Sequence, residues 1–94
     1  MKLLMLIVDE ARKEELEVFL QNAGVAGYTE LPGALGFGTT GQRLGSSAYP
    51  KTSAVIFTFV AAELVDGLVT QVREYCADCG EHLRAVVWNA EAVV

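Results

Sequence analysis

The apolar positions of the chain divide it into four strand-like runs separated by more polar segments. Met1–Val8 is almost continuously apolar, which is typical of a strand near the centre of a sheet. Tyr28–Phe37 predicts a second strand, and its internal Pro-Gly pair indicates a bulge or an edge position. Thr52–Ala61, rich in β-branched and aromatic residues, predicts a third strand, and Leu83–Trp88 predicts a short fourth one.

Two amphipathic helices are predicted between these strands. Asp9 is a candidate N-cap for a helix over Glu10–Ala23, whose apolar residues recur at helical spacing, and Gly24 suits the C-terminal end. A second helix is predicted over Glu63–Cys76. The order β-α-β-β-α-β predicts one α+β domain over residues 1–94. It is the ferredoxin-like arrangement, a four-stranded antiparallel sheet with both helices on one face.

The predicted third strand is apolar on both of its faces. One face carries Ile56, Thr58 and Val60, and the other carries Val55, Phe57 and Phe59. Helices on one side of the sheet cover only one of these sets, and each set is too apolar to be left in water. The sequence therefore predicts that something else covers the second face, without deciding which set it is.

Length, charge and residue content narrow the function. A chain of 94 residues is enough for a single modest core. Its net charge of −5 argues against nucleic-acid binding, because little in it would displace counterions from a phosphate backbone. The longest apolar run, Leu3–Val8, is too short to cross a bilayer, so a cytoplasmic protein is expected. No nucleophile and base are paired in a recognisable motif, so we expect no enzyme activity.

A glycine-rich segment after the second strand is the first candidate site. Gly36, Gly38 and Gly41 can present backbone N–H groups to an anion, and Gln42 and Arg43 add side-chain donors. The Gly-x-Gly-x-x-Gly spacing follows a strand but opens no helix, so it does not indicate a dinucleotide site. The alternative is a flexible hairpin loop without a ligand.

Cys76, Cys79 and His82 form the second candidate site. Two sulfur atoms and an imidazole at this spacing could hold zinc or copper if a fourth ligand came from elsewhere. In a second interpretation Cys76 is a small core residue and the other two lie on the surface of a turn. A redox-active disulfide between the cysteines is the third interpretation.

Several motifs together resemble the P-II family of signal-transduction proteins. They are GFGTTGQ at 36–42, the following hairpin loop before a β-branched strand, and AVVWNAEAVV at 85–94. The opening segment, MKLLMLIVDEARKEELEVFLQNAGVAGYTE, is also similar to the first strand and helix of that family. The resemblance implies that Gly36, Phe37 and Gly38 form the base of the so-called T-loop, with Phe37 among the ligand-binding residues.

The resemblance also implies partners and an assembly. It implies a homotrimer in which three sheets pack around a threefold axis, with a small ligand in the clefts between subunits. An adenine nucleotide is the candidate cofactor, with a metal ion as the alternative. The Gly38–Pro50 loop would act on a partner protein, such as a membrane transporter or an enzyme.

The chain departs from the family pattern in the turn before the last strand. CGEH stands at Cys79–His82, where nucleotide-binding members carry Gly-Asp-Gly-Lys. Glu81 would repel a polyphosphate, so we expect an ATP dissociation constant no better than about a millimolar. Arg84 is the one permanent cation near this turn and is therefore a candidate ligand-binding residue, although the sequence does not show which way it points.

Overall fold

The computed structural model describes residues 1–38, 41–75 and 83–94. These ranges contain six strands and two α-helices: β1 (Lys2–Asp9), α1 (Lys13–Asn22), β2 (Thr29–Ala34), β3 (Gly36–Gly38), β4 (Gly41–Arg43), β5 (Ser53–Val60), α2 (Val65–Tyr75) and β6 (Leu83–Asn89). Four strands form one antiparallel sheet in the order β2-β5-β1-β6, and β3 pairs with β4 as a separate ribbon. Both helices pack on the same face, so the predicted ferredoxin-like α+β fold is confirmed. In the described ranges, no helix has the length and apolarity needed to cross a membrane.

The core lies between the helices and one face of the sheet. Leu4, Leu6 and Val8 of β1 stand opposite Thr58, Ile56 and Ala54 of β5, and all six are buried. The helices complete this core with Leu16, Leu20, Leu68 and Val72. The Thr58 hydroxyl donates to the Gly27 carbonyl at 2.6 Å, so the buried oxygen is satisfied. The Ile56, Thr58 and Val60 set is therefore the one that faces the helices.

The opposite side of the sheet is apolar, and neither helix covers it. We call it the open sheet face; it comprises Leu3, Met5, Ile7, Val55, Phe57, Phe59, Val86 and Trp88, which the strand register places side by side. Phe59 is 59% exposed and Trp88 is 42% exposed. Contiguous exposure of this kind is unusual for a monomer in water.

Each predicted helix begins with a turn of 3-10 helix. Asp9 caps the first of these, because the Ala11 N–H donates to its Oδ1 at 3.1 Å, as predicted. Glu10–Arg12 forms the 3-10 turn, so α1 itself begins three residues later than expected. The chain leaves α1 through Gly24, whose φ of +82° lies in the left-handed region that glycine tolerates.

The predicted second strand is divided in two. β2 ends at Ala34, and the pairing of β2 with β5 shifts register between Leu31 and Ala34, where Gly33 has a φ of +68°. The predicted bulge and edge position are both confirmed, since β2 is the last strand of its sheet. After this irregularity the chain turns away from β5 and forms the β3–β4 ribbon.

The Glu10 side chain ties the bulge to the rest of the domain. Its Oε1 accepts hydrogen bonds from the Gly33 N–H at 2.6 Å and the Thr52 hydroxyl at 3.1 Å, and its Oε2 lies 3.1 Å from Lys13 Nζ. The pKa of Glu10 is lowered, and the hydrogen bond from the Gly33 N–H is the largest cause. Burial acts to raise this pKa, whereas Lys13 and Thr52 lower it further. One carboxylate therefore connects β2, the residue before β5 and α1.

Replacing Glu10 by glutamine should lower stability in a pH-dependent way. At pH 7 we expect a loss of about 1 kcal/mol in the free energy of unfolding, because the charge-assisted bonds are weakened. The pKa of Glu10 is lower in the fold than in the unfolded chain, so its stabilisation is present above the unfolded pKa. It is lost as the pH falls through the folded pKa.

Urea unfolding of the wild type and Glu10→Gln at neutral pH and at about pH 3 would measure this difference. Glu14→Gln, on the exposed side of α1, is the matched control and should change little at either pH. An equal loss for Glu10→Gln at both pH values would contradict a role for the carboxylate charge.

Candidate functional site

The β3–β4 ribbon carries most of the predicted site residues. Gly36 pairs with Arg43, Phe37 with Gln42, and Gly38 with Gly41. Gly41 has a φ of +92°, which glycine adopts without strain as the ribbon turns back. The ribbon is short and is not hydrogen-bonded into the main sheet as a strand, so its position depends on side-chain contacts.

A cleft of about 480 Å³ lies between this ribbon and the main sheet. It is lined by Ile7, Val8, Asp9, Ala34, Leu35, Gly36, Phe37, Gly38, Gly41, Arg43, Ser53, Val55 and Arg84. Six of the seven predicted ligand-binding residues are therefore brought together: Gly36, Phe37, Gly38, Gly41, Arg43 and Arg84. Gln42 is exposed on the ribbon and does not line the cleft. A role for any of these residues in binding a ligand stays a prediction.

Arg43 is held by an ion pair with Asp9. Its Nη1 lies 3.2 Å from Asp9 Oδ2, and the two side chains are only 10% and 9% exposed. The same nitrogen donates a longer hydrogen bond, of 3.5 Å, to the Thr52 carbonyl. The guanidinium that the sequence predicted as a donor to a ligand is thus already bonded to the end of β1.

Asp9 is ionised at neutral pH in spite of its burial. Desolvation by burial is the largest influence and acts to raise the pKa of Asp9. The Ala11 N–H, the Arg43 guanidinium and the charge of Lys51 together outweigh it, so the pKa of Asp9 lies below its usual value. The carboxylate therefore brings a full negative charge to the wall of the cleft.

Arg84 faces the cleft from the far side of β1. It pairs with Ile7 in the β1–β6 register and shares the face of the sheet on which Ile7 lies. The side chain is exposed, and no ion pair joins it to another residue in the described ranges. The direction that the sequence left open is thus toward the cleft.

Contacts within the described chain do not explain why residue 36, Gly36, is a glycine. A Cβ atom added there would meet nothing within 4 Å, and its φ is not in the left-handed region. Glycine in a strand is normally less stable than alanine. The same two observations hold for Gly38, so neither backbone conformation nor packing among the described residues accounts for glycine at these two positions.

The second predicted site lies outside the described residues. Cys76, Cys79 and His82, together with Glu81, fall between α2 and β6. Within residues 1–38, 41–75 and 83–94 there is no group of three or more histidine, cysteine or acidic residues that could hold a metal ion. The metal and redox hypotheses stay untested predictions.

Asp9 is a charged residue of the cleft that the sequence did not identify as a site residue. Its position after an apolar strand and before a helix indicated only a cap, and it performs that role through Oδ1. The other oxygen, Oδ2, reaches Arg43, which is 34 positions away in the sequence. A local sequence pattern cannot predict a pair so far apart in the chain. The available signal was an acidic residue at the end of a strand together with a basic residue in a later loop.

The chain matches the model of a known protein family. The model of the family described as "Nitrogen regulatory protein P-II" matches residues 1–90. No curated protein sequence matches the chain significantly.

Solved structures of PII-like proteins share the fold. CPII of Thiomonas intermedia K12, a nitrogen regulatory PII-like protein solved with ADP, AMP and bicarbonate, is 26% identical, with a TM-score of 0.70 over 95% of this chain and 86% of that one. A PII-like signalling protein of Thermus thermophilus is 18% identical, with a TM-score of 0.71 over 95% of this chain and 85% of that one, which shows a shared fold. The family match covers nearly the whole chain, and the chain therefore belongs to the nitrogen regulatory protein P-II family.

Proposed function

We propose that this chain is a trimeric regulatory protein that binds a small anionic ligand in the cleft beside the β3–β4 ribbon. The candidate ligands are an adenine nucleotide or a simple anion. The protein acts in the cytoplasm and is not an enzyme. In response to the bound ligand, the Gly38–Pro50 loop acts on a partner protein, such as a membrane transporter or an enzyme.

The lining of the cleft carries this proposal. It combines glycine backbone at Gly36 and Gly38 with the exposed guanidinium of Arg84, and such groups recognise carboxylates and phosphates. Arg43 also lines the cleft, where it is paired with Asp9. The glycines leave room that no side chain in the described ranges fills, so a ligand could approach the backbone closely. CPII, which shares the fold, was solved with ADP, AMP and bicarbonate, which supports the same classes of ligand here.

The open sheet face supports an assembly that would complete this cleft. Ile7 and Val55 belong to the open sheet face and also line the cleft. A second subunit packed on that face would therefore pass close to the cleft and could close one of its sides. Burying the face would also remove Phe59 and Trp88 from water, which favours association.

The loop that begins at the ribbon carries apolar side chains suited to a protein partner. Phe37 is 83% exposed at its base, and Leu44 and Tyr49 are each more than 40% exposed. Exposed aromatic residues are enriched where proteins bind one another. A ligand that contacts the ribbon would also contact the base of this surface, which couples the cleft to the loop.

Light scattering should give a trimer mass for the wild type. Val86→Glu should shift the mass toward a monomer, because it places a charge on the open sheet face, where Val86 is 40% exposed. Val18→Glu is the matched control, since Val18 is exposed on α1, away from the open sheet face, and it should leave the trimer intact. A monomeric wild type at micromolar concentration would contradict the proposed assembly.

Thermal unfolding with ATP, ADP, AMP and bicarbonate tests ligand binding. A ligand that binds the folded state should raise the midpoint by mass action. Arg84→Gln should weaken binding by about tenfold, since it removes one charge-assisted contact of about 1.5 kcal/mol.

The Gly36→Ala variant distinguishes an effect on ligand binding from an effect on folding. The position has space for a methyl group, so the variant should fold normally, and it should gain up to about 1 kcal/mol through the unfolded state. Its midpoint should nevertheless rise less than that of the wild type when ligand is added. No shift with any of the four compounds would contradict the proposed function, and equal shifts in Gly36→Ala would place the ligand elsewhere.

A further inference from the structure

Three charged side chains line the cleft, and they do not contribute equally. Arg43 and Asp9 are buried together in an ion pair of 3.2 Å, whereas Arg84 is exposed and has no ion pair in the described ranges. Two positive charges and one negative charge leave a net charge of one positive unit. The cleft thus offers one guanidinium to a ligand, although its lining contains two.

Asp9 is fixed in position by bonds on both of its oxygens. Oδ1 accepts the Ala11 N–H at 3.1 Å and Oδ2 faces Arg43. Arg43 in turn donates to the Thr52 carbonyl. Separating a buried ion pair leaves an uncompensated charge, so a ligand cannot easily take Arg43 away from Asp9.

The strand register places Asp9 near the remaining cation. Arg84 stands opposite Ile7, and Asp9 lies two residues further along β1 on the same face, so Arg84 and Asp9 are diagonal neighbours. An anion bound to Arg84 therefore lies close to the Asp9 carboxylate. Because Asp9 is paired with Arg43, that pair adds little net charge, and Arg84 is the one guanidinium among the described lining residues that can neutralise a bound anion.

We propose that Asp9 is a specificity-determining residue that restricts this cleft to singly charged anionic groups, such as a carboxylate or bicarbonate. It does so by occupying Arg43, so that one guanidinium neutralises one negative charge while the further charges of a polyphosphate stay uncompensated. The inference rests on the proposed function, that the cleft binds an anion. Of the two ligand classes proposed above, it favours a simple anion over the phosphate groups of an adenine nucleotide.

Asp9→Asn is the decisive variant. Asparagine is as good an N-cap as aspartate, so the bond from Ala11 is kept while the negative charge is removed. Arg43 is then uncompensated, and the cleft carries two positive charges. Titrations with pyrophosphate and with sodium bicarbonate, followed by NMR or calorimetry, measure the dissociation constants for the wild type and the variant.

We expect Asp9→Asn to bind pyrophosphate at least tenfold more tightly than the wild type, with a smaller gain for bicarbonate. The double variant Asp9→Asn/Arg43→Gln removes both members of the pair and leaves Arg84 alone. It should return to the preference of the wild type for bicarbonate. Because it contains no unpaired buried charge, it also serves as the test if Asp9→Asn does not fold.

Three results would overturn the inference. Equal affinity of the wild type and Asp9→Asn for pyrophosphate would show that Asp9 does not select by charge. Loss of bicarbonate binding in the double variant would show that Arg43 itself holds the anion. Failure of both probes and of AMP and ADP to bind the wild type and every variant would overturn the proposed function as well, which distinguishes the two failures.

Discussion

The position of β1 in the middle of the sheet is the constraint on which the rest of the structure depends. It pairs with β5 on one side and β6 on the other, so its register sets both neighbours. Its two faces are apolar, yet the helices cover only the face that carries Leu4, Leu6 and Val8. Fully burying a large apolar side chain contributes about 1.5–3 kcal/mol, so a whole uncovered face is a strong driving force for assembly. The buried core and the apolar face that the helices leave open thus lie on the two sides of the same strand.

The carboxyl end of β1 connects this regular sheet to the irregular segments of the chain. Asp9 and Glu10 are adjacent, but they bind different elements: Asp9 holds the ribbon through Arg43, and Glu10 holds the bulge of β2 through the Gly33 N–H. Backbone hydrogen bonds of the sheet do not reach the ribbon, so the ion pair of Asp9 with Arg43 helps to hold it, while Glu10 holds the neighbouring bulge. The cleft is consequently defined by polar contacts, while the fold is defined by apolar packing.

The sequence predicted the fold more completely than the cleft. Strands and helices repeat apolar residues at fixed periods. The neighbouring sequence therefore predicts the burial of Leu16 and Leu20 on α1 and of Ile56 on β5. The division of Tyr28–Phe37 was missed because glycines carry no side-chain pattern and are equally compatible with one strand or two. The pairing of Arg43 with Asp9 and the direction of Arg84 depend on the register of distant strands, which no local window contains.

The separate hydrogen bonding of the ribbon has a consequence for how this loop can vary. β3 and β4 bond only to each other as strands, so residues added or removed near their turn need not alter the pairing of β2 with β5. Each doubling of the length of a loop adds only a little to the entropic cost of closing it. The segment between Ala34 and Ser53 is thus a natural insertion point, where a binding peptide or a reporter domain could be grafted onto an unchanged scaffold.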